Sequence, residues 1–183
     1  EMKPHTVINA IGAEPVIPSI PGKDKTFVVN SHDVLDGVAE VSGTVVVIGG
    51  GMVGMETAEY LAEKGAKVTV LEMLPDFCAD MGSTRKICVT ESIYAAGITP
   101  VTEGTVTEIK DGCVVGLKDK KETEFPCDYA VMAVGAKRRD GSTLAEACYA
   151  EGIGYYEIGD AGMARRALNA TREAYDAAIH FDD

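Results

Sequence analysis

Apolar residues along the chain come in short runs that stop at a glycine, with stretches of helical spacing between them. Residues 6–11, Thr-Val-Ile-Asn-Ala-Ile, end at Gly12 and predict a buried strand. Residues 14–25 carry Pro15, Pro18, Pro21 and Gly22, which predicts an extended connector with no element of its own. A short helix is expected from Ser31, with Ser31 as its cap. Residues 44–48, Thr-Val-Val-Val-Ile, are β-branched and apolar on both faces, the pattern of a central parallel strand covered by helices. Residues 52–64 then place Met55, Ala58, Leu61 and Ala62 on one helical stripe, with Glu59 and Glu63 outward and Gly65 as the stop. Residues 67–72 read as a second strand that ends in Glu72. Strand, glycine turn, helix and strand in succession make a βαβ unit.

The second half begins with a helix predicted over residues 83–96, stopping at Gly97. Residues 98–101, 104–109, 113–117 and 122–125 read as strands separated by Asp111-Gly112 and by the polar turn at 118–121. They predict a small antiparallel meander over about 101–125. Residues 129–134 return as a buried strand ending at Gly135, residues 155–160 are one more strand-to-glycine run, and residues 163–180 form a final amphipathic helix. The fold class is therefore α/β: a Rossmann-like unit with a parallel sheet plus a small antiparallel meander.

Composition changes this picture little. Of 183 residues, 46% are apolar and 25% charged, an ordinary globular balance that disfavours disorder. The run at 44–48 is too short to cross a bilayer, so no membrane association is expected. Twenty-nine acids against 17 bases give a net charge of −12, which disfavours a nucleic-acid partner. Outside scattered lysines, the basic cluster that stands out is Lys137-Arg138-Arg139, too short to reverse that expectation. Five well-separated cysteines include no Cys-x-x-Cys, so free thiols in a reducing compartment are expected, and the lack of a basic-then-apolar leader adds a cytoplasmic location. His5, His32 and His180 have no partner at catalytic or metal-ligand spacing, and no nucleophile–base pair stands out, so neither a catalytic residue nor a metal site is expected.

The chemistry lies in Gly49-Gly50-Gly51-Met52-Val53-Gly54. A lone G-x-G-x-x-G is weak evidence, but here it follows a buried strand, opens a helix, and precedes a strand ending in an acid. Gly49 allows the tight turn, Gly51 lets the backbone approach a pyrophosphate, and Gly54 lets helix and strand pack closely. The amides of Met52 and Val53 and the helix dipole face the phosphates. Glu72 can accept the ribose hydroxyls of an unphosphorylated adenosine, with Met73 beside it. It would repel a 2′-phosphate, and residues 73–80 contain no Arg or Lys. NAD(H) is therefore expected over NADP(H). Glu56, placed in the first helical turn, either complements the dipole or lies near the nicotinamide.

Residues 44–72 resemble the NAD(H)-binding segment of the two-dinucleotide-domain flavoprotein reductases, in which this domain is inserted into an FAD-binding domain. Ala10-Ile11-Gly12-Ala13 resembles the strand end just before the insertion, and Ala133-Val134-Gly135 its counterpart at the end of the insert. Tyr156-Glu157-Ile158-Gly159-Asp160-Ala161 resembles the late FAD motif. Ser31-His32-Asp33-Val34-Leu35, Glu72-Met73-Leu74-Pro75 and residues 164–170 are similar to the C-terminal region of the 2-enoate reductase and 2,4-dienoyl-CoA reductase type of NADH:flavin oxidoreductases. The resemblance implies Gly135 among the NAD(H) contacts, and Gly12 and Asp160 at the ribityl end of an FAD site. FMN and an iron–sulfur cluster belong, in that family, to an N-terminal barrel outside these residues.

Family members also carry an earlier glycine fingerprint for the FAD pyrophosphate, whereas this chain has one fingerprint and starts at Glu1. The resulting expectation is a piece of a larger enzyme: an NAD(H)-binding domain at 44–138, flanked by partial FAD-domain segments at 1–43 and 139–183. The parent enzyme is expected to pass hydride from NADH to FAD and to reduce an unsaturated acid or thioester; the isolated chain is expected to be inactive. Its partners are then NADH and the remainder of the FAD domain, with self-association possible through exposed flanks. The alternative is a non-catalytic NAD(H) sensor or interaction module, which shares every glycine and Glu72 but has no need of Asp160.

Overall fold

The computed structural model describes residues 3–79 and 81–180; Asp80, the last residue of the non-basic stretch after Glu72, lies outside them. In chain order the elements are β1 (Thr6–Asn9), β2 (Ala13–Pro15), β3 (Val28–Asn30), α1 (Ser31–Leu35), β4 (Thr44–Ile48), α2 (Met52–Glu63), β5 (Lys67–Leu71), α3 (Ser83–Ala95), β6 (Thr99–Val101), β7 (Gly104–Lys110), β8 (Cys113–Lys118), β9 (Lys121–Pro126), β10 (Tyr129–Met132), β11 (Ala136–Arg138), α4 (Ser142–Ala150), β12 (Gly154–Glu157) and α5 (Ala167–Ile179). A 3-10 turn at Gly159–Ala161 separates β12 from α5. The chain divides into two units, one of Ile17–Gly135 and one of Glu1–Val16 with Ala136–Asp183.

The larger unit is built on a five-stranded sheet in the order β3-β10-β4-β5-β6, every pair parallel. Its core alternates along β4. Val45 and Val47 join one cluster with Val34, Met55, Ala58, Leu61, Val68, Val70 and Ile93, which come from α1, α2, β5 and α3. Val46 and Ile48 join another with Leu71, Ile109, Val114, Ala130 and Met132. The period of two sends neighbouring residues to opposite faces, and both faces are dry. The expectation of helices on both faces is half right: the second face is covered by the meander β7-β8-β9, an antiparallel three-stranded sheet.

Four local expectations are corrected here. Thr99–Val101 does not belong with the meander; it pairs with β5 as the edge of the parallel sheet. Ser31 is the first helical residue of α1, not its cap; Asn30 is the cap, and its side chain accepts the Asp33 N–H at 2.9 Å. The final helix starts at Ala167, where Arg166 and Asn169 form a reciprocal cap. The connector after Pro15 does not stay with the N-terminal strand. The Ile109 N–H bonds the Pro21 carbonyl at 2.8 Å, Ile20 and Phe27 pack on the second cluster, and β3 joins β10. The boundary of the larger unit therefore falls before Ile17, well ahead of residue 43, and its other end falls after Gly135.

In the smaller unit β1 and β12 form a parallel pair, with Thr6 opposite Gly154 and Asn9 opposite Glu157. The two flanking runs thus pair with each other. Beside them β2 and β11 make an antiparallel ribbon, tied by Lys137–Glu14 at 3.1 Å. Neither strand of that ribbon, nor α4, has a counterpart in the sequence pattern. Asn9, 2% exposed, donates to the Tyr155 hydroxyl at 2.7 Å, which in turn donates to Glu157 at 3.1 Å; Arg138 closes on Glu157 at 3.2 Å. Burial raises the Tyr155 phenol above its ordinary pKa, against the hydrogen bond from Asn9 that lowers it. The five cysteines form no disulfide, and burial pushes the Cys127 thiol up to about 11. Among the described residues no helix is long and apolar enough to cross a membrane.

Candidate nucleotide-binding site

The three motif glycines occupy three different environments. Gly49 leaves β4 with φ +109°, and a Cβ there would run into the Ala133 carbonyl beyond β10. Gly54 lies in the first turn of α2, where a Cβ would run into the Gly49 carbonyl, so this residue sets how closely helix and strand approach. Gly51 is the N-cap of α2, and nothing lies within 4 Å of its Cβ position. Two of the glycines are therefore required by protein packing, and the third leaves space. No side chain caps α2, so its first amides, with those of Met52 and Val53 among them, lack protein acceptors of the capping kind. Val53 is 39% exposed beside that space.

Glu72 is not a solvated strand-end acid. It is 8% exposed, its Oε2 accepts the Gly50 N–H at 2.6 Å, and its Oε1 accepts the Leu74 N–H at 2.8 Å. An ionised carboxylate offers about four lone-pair sites, so acceptor capacity remains on both oxygens. Gly50 is the unspecified position of the motif, yet its Cβ would lie 2.9 Å from Glu72 Cβ. Cys78, at φ +47° and buried, donates its backbone N–H to the Gly50 carbonyl at 2.8 Å. Sequence reasoning missed Gly50, Leu74 and Cys78; a glycine at a position where the motif asks for none was the available signal.

Met73, next to Glu72, is 67% exposed. Gly135 follows β10 at φ +97° with open space at its Cβ. Glu56 requires a correction: no acid lies in the first turn of α2, because the helix begins at Met52 and Glu56 opens the second turn, exposed. Its dipole argument falls accordingly, since the macrodipole effect fades within one turn. The absence of bases after Glu72 is linear only, for Lys86 comes back from α3 to pair with Asp76, its Nζ 5.6 Å from the Phe77 ring centroid.

Gly12 and Asp160 belong to the smaller unit. The parallel register sets Asn9 beside Glu157, and Gly12 and Asp160 each lie three residues beyond those partners, at the same end of the strand pair. Gly12 is at φ +78° with nothing near its Cβ, and its carbonyl accepts the Arg139 N–H at 3.1 Å. Asp160 accepts the Arg165 N–H at 3.1 Å. Glu173 of α5 holds the adjacent Gly159 N–H at 2.7 Å and pairs with Arg165.

A family model described as pyridine nucleotide-disulphide oxidoreductase matches residues 1–158, most of the chain, ending just before Asp160. The chain belongs to that family. It is 38% identical over 182 residues to an NADH oxidase of Thermoanaerobacter brockii, covering 97% of this chain and 28% of that protein. It is 37% identical over 176 residues to a bilirubin reductase of Mediterraneibacter gnavus, covering 96% of this chain and 27% of that protein. Among solved structures, a 2-naphthoyl-CoA reductase complex superposes with a TM-score of 0.87 at 30% identity, covering 96% of this chain and 26% of that one. The chain thus spans little more than a quarter of the length of these family members.

Proposed function

We propose that residues 17–135 bind NAD(H), in preference to NADP(H), within a flavin-dependent oxidoreductase of this family. The observation that carries the reading is the open space at Gly51, at the uncapped start of α2 and backed by a buried carboxylate at Glu72. Such a helix start accepts a pyrophosphate on its free amides and dipole. Gly51, Met52 and Val53 would hold the phosphates, Gly49 and Gly54 keep the loop close to the sheet, and Glu72 with Met73 meets the adenosine ribose. Gly135 and Glu56 border the path toward the nicotinamide. NADH supplies a hydride; this chain's part is to orient the dinucleotide and to reject a 2′-phosphate beside the fixed charge of Glu72.

The smaller unit offers Gly12 and Asp160 to one end of an FAD, with the pyrophosphate cradle supplied by the remainder of the flavin domain in a longer parent chain. Likeness to the NADH oxidase and to the 2-naphthoyl-CoA reductase supports that parent reaction, with an unsaturated acid or thioester as the final acceptor. Calorimetric titration of the chain with NADH and NADPH tests the reading. Tighter binding of NADH is expected; equal or tighter NADPH binding refutes the cofactor assignment. An absorbance spectrum is expected to lack a stoichiometric flavin band, and a band at one flavin per chain would overturn the partial-site reading.

A further inference from the structure

Resting on that nucleotide reading, we infer that Glu72 is a positioning residue for the phosphate-binding loop, independently of any contact it makes with ribose. The Gly50 peptide is gripped from both sides. Its N–H donates to Glu72 Oε2 at 2.6 Å, and its carbonyl accepts the Cys78 N–H at 2.8 Å. Gly50 immediately precedes Gly51, so fixing this residue fixes the turn from which the free amides of α2 start. The other carboxylate oxygen is tied to the Leu74 N–H at 2.8 Å, which stops the group from swinging away from the loop. Its own backbone is anchored too: the Glu72 N–H donates to Val101 at 2.9 Å, and the Glu72 carbonyl accepts the Gly104 N–H at 2.8 Å. A side chain at residue 50 has no room, with Glu72 Cβ at 2.9 Å and Oε2 at 3.1 Å from the Cβ position.

The consequence is that Glu72 contributes to phosphate binding even for a nucleotide without ribose hydroxyls. Charge-assisted bonds from buried amides to a carboxylate are among the stronger ones, and their loss leaves the donors unmet. In E72Q the carboxamide keeps one acceptor oxygen and turns an N–H₂ group toward the second amide. In E72D the charge stays but the reach shortens by one methylene.

The test titrates ADP and 2′,3′-dideoxy-ADP into the wild-type chain, E72Q, E72D and V114A, a buried-core control on β8 whose side chain has no polar atom with which to hold the loop. Both Glu72 variants are expected to weaken dideoxy-ADP by about tenfold, as they weaken ADP, the size of one oriented hydrogen bond lost. V114A is expected to lower the melting temperature and leave both affinities unchanged. Amide exchange adds a reading on the fold itself: Gly50 and Leu74 amides are expected to be protected in the wild type and to exchange faster in E72D but not in V114A. If the Glu72 variants weaken ADP and leave dideoxy-ADP untouched, the residue contacts only ribose and the inference falls. Equal weakening by V114A, or unprotected Gly50 and Leu74 amides in the wild type, overturns it as well. A wild-type chain that binds neither nucleotide refutes the nucleotide reading itself, a result distinct from these.

Discussion

The two units of this chain differ in how much of their apolar surface they cover themselves. Both hydrophobic clusters, and every large side chain that is fully buried, come from residues 17–135. Among the described residues of the smaller unit the buried apolar ones are Cys148, Ala161 and Ala177, all small. There Ile8 and Ile11 remain 40% and 47% exposed, and α5 leaves Leu168, Tyr175 and Ile179 more than half exposed. Those three recur at spacings of seven and four, one stripe of a helix. The larger unit closes its core on both faces of a sheet; the smaller one has two separate strand pairs and helices, and its described residues enclose no hydrophobic cluster of the kind a domain core requires. The difference teaches that a site's stiffness follows from what stands behind it: a doubly covered sheet supports the glycine loop, while the Gly12–Asp160 end rests on a single strand pair.

Cutting the chain breaks this comparison most severely. A chain limited to residues 17–135 is expected to melt cooperatively and to keep NADH binding. One limited to 40–140 is expected to lose both, because it lacks β3, α1 and the packing of Ile20 and Phe27. Val34 alone, 1% exposed on α1, contributes about 1.5–3 kcal/mol by its burial, a large part of a domain's net stability. Circular dichroism melts with calorimetry check this. A cooperative, nucleotide-binding 40–140 chain would show that the connector is dispensable and that the boundary belongs near residue 43.

Paired core substitutions sharpen the comparison at single-residue scale. Leu61→Ala, in the first cluster, is expected to cost about 2–5 kcal/mol. Leu168→Ala, at 77% exposure on α5, is expected to stay within about 0.5 kcal/mol. Urea unfolding followed by tryptophan-free far-UV signals measures both; a Leu168 cost like that of Leu61 would mean that α5 is covered, for instance by a second copy of the chain.

Much of this contrast was readable beforehand, and the unread part has a physical cause. The β-branched run of β4, the stripe of α2, the acid at 72 and the Asp111-Gly112 hairpin are local patterns, and each appears in place. The pairing of β2 with β11 is not local. Ala-Glu-Pro and Ala-Lys-Arg have no strand signature, and the ribbon exists because residues 13–15 meet residues 136–138 across the whole inserted unit. The helix α4 opens at Ser142 behind Gly141, an N-cap without a side chain; its start is held instead by Asp140, one residue further out, which accepts the Ser142 N–H at 2.9 Å. At the site, the sequence motif points to Gly49, Gly51, Gly54 and Glu72, but not to Gly50, because its constraint comes from a side chain 22 residues away.

Glycine substitutions separate packing from space at smaller energies. Gly54→Ala, whose methyl runs into the Gly49 carbonyl, is expected to cost about 1–3 kcal/mol and to weaken NADH binding by moving α2 off the sheet. Gly12→Ala has free space but a φ of +78°, so its cost is the strain alone, about 1 kcal/mol. Thermal melts of the two variants are expected to rank in that order, and a larger loss at Gly12 would mean that the smaller unit is the stiffer of the two.

Gly51→Ala carries the smallest cost to the fold and the clearest message about function. Its φ of −70° and ψ of −177° suit any residue, and no atom lies within 4 Å of the added methyl. Alanine is a poorer N-cap than glycine by about 0.5–1 kcal/mol, so the melting curve is expected to shift by only a few degrees. The methyl would stand in the opening at the start of α2, where a pyrophosphate has to come close to the amides of Met52 and Val53. NADH affinity is therefore expected to fall by about tenfold or more, the size of a displaced charge-assisted contact, while stability holds. A tight-binding Gly51→Ala chain would show that the nucleotide does not approach this turn, and that the space there serves some other purpose than phosphate.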